Sequence, residues 1–133
     1  MISARMRSLG VIIVLCLSHP VHGLSAKPEP KPERLPITVR IDFGPADKPG
    51  REERLLVDKG STPKDVLSMV VPIQSGEVCC NTREVAAIDG IRPDPTKNRW
   101  WNCRLNDATN FSPFLKELQA GDKVEWIYSE QLQ

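Results

Sequence analysis

Few side chains in this sequence are equipped for chemistry, and their positions narrow the field quickly. The cysteines are Cys16, Cys79, Cys80 and Cys103; the histidines are His19 and His22. Both histidines and Cys16 fall within the first 23 residues, a segment that reads as a removable export signal. What remains has no histidine, so the common general base near neutral pH is missing, and with it Ser-His and Cys-His nucleophile pairs. Carboxylate pairs such as Asp89 with Asp94, or Glu84 with Glu125, sit in turn and exposed-strand contexts that ordinary solvation explains. No C-x-x-C spacing is present, and three cysteines without histidine make a poor zinc set. No glycine-rich loop could cradle a phosphate. The expectation is a protein that is not an enzyme, with no catalytic residues and no metal site.

The chemistry left is that of recognition, and it concentrates between Ile88 and Asn106. Arg99-Trp100-Trp101-Asn102-Cys103-Arg104-Leu105-Asn106 holds two of the three tryptophans and a cysteine, and reads as a strand. Strand parity splits the block. Trp101, Cys103 and Leu105 share one face and are expected in the core, where truncating Trp101 would cost about 3–5 kcal/mol. Trp100, Asn102, Arg104 and Asn106 share the other, so Trp100 becomes a candidate flat platform for a planar ligand or partner. Asp89-Gly90 is first a turn, with a lesser prospect of holding a ligand through exposed backbone. Tyr128, near the end of the last strand, completes the candidate ligand-binding set.

Export makes a disulfide plausible, and three cysteines leave one over. If the preceding strand is unbroken, Cys80 shares parity with Ala86 and Ile88, which favours Cys80–Cys103 over Cys79–Cys103. Such a bridge would add roughly 3 kcal/mol by constraining the unfolded chain. A vicinal Cys79–Cys80 bridge would strain the peptide between its partners.

The export reading rests on Arg5 and Arg7, the apolar run Leu9–Leu17, and the small Gly23 before Leu24. That run falls short of the ~20 residues of a membrane span. A lipid-modified Cys16 is disfavoured by the bulky Leu15 before it. Residues 1–23 are thus assigned as a cleavable signal and the protein as secreted or periplasmic. The rest carries sixteen Lys/Arg against seventeen Asp/Glu, a balance that offers no footprint for nucleic acid or an anionic membrane.

Residues 24–36, with four prolines among charges, read as an extended linker. From there the pattern is that of a small domain. Ile37, Val39, Ile41 and Phe43 alternate with Thr38, Arg40 and Asp42, giving a half-buried strand. Arg54–Asp58 returns as the second arm of a hairpin, with Leu55 and Val57 inward. Ser61 is the expected N-cap of a short helix carrying Val66, Leu67 and Val70 across the sheet, and Pro72 ends it. Glu77–Ile88 reads as a strand with a bend near Asn81-Thr82, Ile91–Asn98 as a loop, and Asn110–Glu117 as a short helix or loop. Lys123–Tyr128 is the last strand, with Val124, Trp126 and Tyr128 on one face.

This predicts an α+β, β-grasp-like domain over residues 37–129, a mixed four- to five-stranded sheet with one short helix packed on it, then a tail at 130–133.

Four motifs occur in one order: Gly60-Ser61-Thr62 with Asp65-Val66-Leu67; Ala87-Ile88-Asp89-Gly90; Trp100-Trp101 with Leu105-Asn106; and Gly121-Asp122-Lys123-Val124-Glu125-Trp126-Ile127-Tyr128. Together they resemble a bacterial domain-of-unknown-function family, itself similar to the C-terminal β-domain of the cobalamin carriers intrinsic factor and transcobalamin. The soluble-ligand-binding β-grasp domains are a looser likeness. Asp107 stands where that family's strand is followed by glycine, and Cys79-Cys80 lie outside its pattern. The carriers' helical domain has no counterpart here. The resemblance implies a non-catalytic binding module for a planar or cyclic small molecule of cobalamin type on the sheet surface, with no other cofactor. The alternative is an envelope or extracellular protein–protein interaction module that takes no small ligand.

Overall fold

The alternation of Leu35, Ile37, Val39, Ile41 and Phe43 builds a strand, and every one of these residues is buried. The computed structural model describes Gly23 and residues 26–75 and 85–130. The chain divides into two units, Met1–Pro30 and Lys31–Gln133. Of the first, the described residues are exposed chain without regular structure. In the second, β1 (Arg34–Asp42), β2 (Arg51–Asp58), α1 (Pro63–Val70), β3 (Ile73–Ser75), β4 (Val85–Ile88), β5 (Arg99–Leu105) and β6 (Lys123–Glu130) follow in order.

The main sheet has the order β2-β1-β6-β5. β1 pairs antiparallel with β2 and parallel with β6, and β5 pairs antiparallel with β6. A hairpin whose first strand lies parallel to the last strand, with one helix crossing a face, is the β-grasp-like α+β arrangement expected. The core lies between that face and α1, where Val66 and Leu67 meet Val39, Ile41, Val124 and Trp126.

Several expected boundaries move, each for a local reason. β1 begins at Arg34, inside the stretch assigned to the linker. Pro36 is tolerated there because its nitrogen faces β6 before that pairing begins at Thr38 with Lys123, while its carbonyl accepts from Gly121 N at 2.8 Å. Thr62, not Ser61, caps α1, and Asp65 completes a capping box by accepting from the Thr62 backbone N–H at 2.9 Å. Ser61 Oγ instead donates to the Asp58 carbonyl. β3 was not anticipated; it is three residues long and pairs with β4 in a separate two-stranded sheet, so β4 does not join the main sheet. Residues 110–117 form turns, without a helix.

Two tight places need particular backbones. Gly44 turns the chain out of β1 at φ 44°, and a Cβ there would fall on the Tyr128 carbonyl oxygen, so no other residue fits without movement. After β5 the chain reverses through Asn106 and Asp107, both at positive φ (47° and 69°), while Leu105 and Ala108 exchange two backbone hydrogen bonds of 2.9 Å. That is a two-residue hairpin turn of the kind that favours Asn-Gly. Asn106 is well suited, since its side chain accepts from Lys123 N and donates to Asp122. Asp107 takes the conformation that glycine adopts without steric cost. Asp107→Gly is therefore expected to stabilise the domain by about 0.5–1 kcal/mol, read as a higher midpoint in urea unfolding; an unchanged or lower midpoint would contradict strain at this turn.

Candidate functional site

Because β5 is an edge strand, one side of it has no neighbour in the main sheet, and an open hollow of about 440 Å³ runs along that side. Trp100–Cys103 form one wall. Phe111, Pro113 and Phe114, from the segment after the turn, form the other, which Lys64 N anchors to the start of α1 through a 3.0 Å bond to the Pro113 carbonyl. Val85 of β4 and Pro93 close the ends, and Trp126 of β6 contributes to the floor. The lining is mainly apolar and aromatic, as small-molecule sites generally are, with a few polar groups to set orientation.

The Trp126 ring is among the lining residues, but its indole Nε1 is closed off from solvent. It is buried, and among the described residues it has no hydrogen-bond partner. A buried donor left unsatisfied costs about 1–3 kcal/mol. Trp101 resolves the same problem by donating to the Ile91 carbonyl at 2.9 Å, while its ring meets Phe43 edge-on at 5.6 Å and Tyr128 at 5.2 Å.

The expected site residues separate into three groups. Trp100 and Asn102 line the hollow. Trp100 lies on the sheet face away from α1, half-buried, and donates to Asn98 at 3.1 Å; Asn102 Nδ2 donates to Ser129 Oγ at 3.1 Å. Arg104 follows on the same face, exposed. Asn106, Asp89 and Gly90 are occupied in turns. Asp89, at φ 48°, accepts from Lys48 Nζ at 2.6 Å, and that ammonium also lies 5.1 Å over the Phe43 ring. Tyr128, counted among the candidate ligand-binding residues, is buried, with its hydroxyl donating to the Arg92 carbonyl at 3.1 Å. Sequence parity alone does not point to Phe111, Pro113 or Phe114, which belong to an irregular segment.

Among the described residues Cys103 carries a free thiol, half-buried in the wall of the hollow. The expected partner, Cys80, lies outside the described residues, as does Cys79. Burial pushes the Cys103 thiol up to about 12, which keeps it protonated and unreactive.

The outer face of the sheet is polar. Glu125, only 6% exposed, is held between Lys123 at 2.6 Å and Arg40 at 3.6 Å. Its hydrogen bond raises the Lys123 ammonium above its ordinary value. Beside the hollow, the Thr96 hydroxyl holds Asp94 below the usual carboxylate range, helped by Lys97. Among the described residues, no three His, Cys, Asp or Glu side chains converge as metal ligands, and no helix is long and apolar enough to cross a membrane.

No family model and no curated protein matches this chain. Among solved structures it is similar to a crystal structure from Ruminococcus gnavus ATCC 29149, described as a "putative metal binding protein". The two share 22% identity and a TM-score of 0.52 over 74% of this chain and 99% of that one. At that identity the likeness is one of fold.

The state of Cys103 has a measurable consequence. With its thiol near 12 instead of the ordinary ~8.5, the thiolate fraction at pH 8 falls by about three orders of magnitude. Iodoacetamide labelling of the folded protein at Cys103 is expected to be at least about 100-fold slower than in urea, and labelling at the unfolded rate would contradict the assignment. Because the folded state holds this proton more tightly, its contribution to stability is complete below about pH 8.5 and is lost as pH rises towards 12.

Proposed function

We propose that this protein is an exported, non-catalytic binding module that holds a planar or cyclic small molecule in the hollow beside β5. The observation that carries the reading is the hollow itself, open beside β5 and lined by Trp100, Phe111, Phe114 and Trp126. A flat ring would lie against Trp100, Phe111 and Phe114, with Asn102 and Thr109 available to set its orientation. The motif resemblance favours a molecule of cobalamin type, which would place one edge in a hollow of this size. The fold neighbour's description as a binding protein is in keeping with binding over catalysis. So is the protonated Cys103 thiol, which is no nucleophile. The second reading, an envelope or extracellular interaction module without a small ligand, draws support from the open edge of β5.

Titrating the purified full chain with a panel of corrinoids and haem, followed by tryptophan fluorescence, tests the ligand class. A saturable change is expected, weakened about three- to tenfold by Phe114→Ala. A flat response from a folded protein across the panel would favour the interaction module. Export is tested separately: after expression with its native N-terminus, the protein in the periplasm or medium is expected to begin at Leu24. A folded product retaining residues 1–23 would count against a cleaved signal.

A further inference from the structure

The free side of β5 is more specific than an open edge usually is. In an antiparallel strand, successive residues turn their N–H and C=O groups alternately to the two neighbours. Arg99 and Leu105 turn theirs away from β6: Arg99 exchanges two hydrogen bonds with Asp94, both 2.9 Å, and Leu105 exchanges two with Ala108. Trp101 and Cys103 share that parity, so their N–H and C=O groups face the hollow. No described residue pairs with them there. Asp94 and Ala108 already occupy the row beside β5 at either end. They leave a slot between Arg99 and Leu105, whose Cα positions are about 20 Å apart in an extended strand.

Those limits select the occupant. A second folded copy pairing through its own β5 would run into Asp94 and Ala108, so a whole edge strand does not fit. Three or four residues of extended chain do fit, entering and leaving out of the sheet plane. Residues opposite Trp101 and Cys103 would point their side chains into the apolar hollow, which Trp126 also lines. Arg99 and Arg104 flank the slot, and neither makes an ion pair among the described residues. An occupant with carboxylates at its ends would complement them.

We infer that the hollow is a docking slot for a short extended peptide segment, two of whose residues pair with the backbone of Trp101 and Cys103, with apolar side chains filling the hollow and acidic residues at its ends. This rests on the hollow being the binding site and deepens the interaction-module reading, naming its partner by backbone complementarity in place of a flat ring.

The test uses the 15N-labelled full chain and the capped peptide acetyl-Asp-Phe-Thr-Val-Asp-amide. In the free protein, the amides of Trp101 and Cys103 are expected to exchange with water much faster than those of Trp100, Asn102 and Arg104, which face β6. The peptide is expected to bind saturably and to slow exchange at Trp101 and Cys103. N-methylation of its Phe and Val should weaken binding at least about tenfold, because it removes two hydrogen bonds and keeps both side chains. Replacing its acidic ends with lysine should weaken it further. Trp101 and Cys103 amides already protected in the free chain would overturn the inference, as would equal binding of the N-methylated peptide. No peptide binding at millimolar concentration, with a corrinoid or haem still changing the fluorescence, would overturn it and leave the small-molecule reading standing. Silence from every probe would remove both.

Discussion

The parallel pairing of β1 with β6 is the constraint on which the rest of the domain depends. Val39 and Ile41 lie beside Val124 and Trp126 at the centre of the sheet, and three of those four residues have no solvent exposure. Two neighbouring parallel strands cannot be joined by a tight turn, so the chain between them must cross a face of the sheet. α1 makes that crossing, and its Val66 and Leu67 cover the strands that require it. With β2 on one side of the pair and β5 on the other, the sheet ends at β5. The hollow is thus a result of topology, because β4, which could have covered that edge, pairs with β3 instead.

How much of this was legible follows from where the information lies. The alternation through Ile37–Phe43 and the shared parity of Val124, Trp126 and Tyr128 are properties of single strands, and burial agrees with both. The same parity separated Trp100 from Trp101. The helix was legible as an apolar pair after a capping stretch, but Ser61 and Thr62 are equally good caps by type. The choice fell to Thr62 because Asp65 stands three residues later and can return its backbone bond. β3 is too short to show a period.

The hollow was the part that did not show. Its lining comes from β4, the loop at Pro93, β5, the 109–114 segment and β6, five stretches whose apposition depends on strand order. Nothing in the local pattern of Phe111 or Phe114 distinguishes a hollow's wall from a surface turn. Tyr128 illustrates the converse. Its place near the strand end makes it a candidate for ligand contact, yet its hydroxyl donates to the Arg92 carbonyl, contributed by a loop 36 residues away in sequence.

The two edges of the sheet are managed by different means, and the difference bears on function. β2 carries Arg51, Glu52, Glu53, Arg54 and Asp58, and so many charges along an edge discourage pairing with another chain. β5 has Trp100, Trp101, Asn102 and Cys103 at its centre, a composition that would invite such pairing if the strand were fully open. It is protected by geometry instead: Asp94 and Ala108 fold back to occupy its ends, which limits access without adding charge to the middle. Charge along the whole edge would have served solubility equally well. It would also have taken away the aromatic surface along the hollow, where the centre of β5 has no covering strand among the described residues.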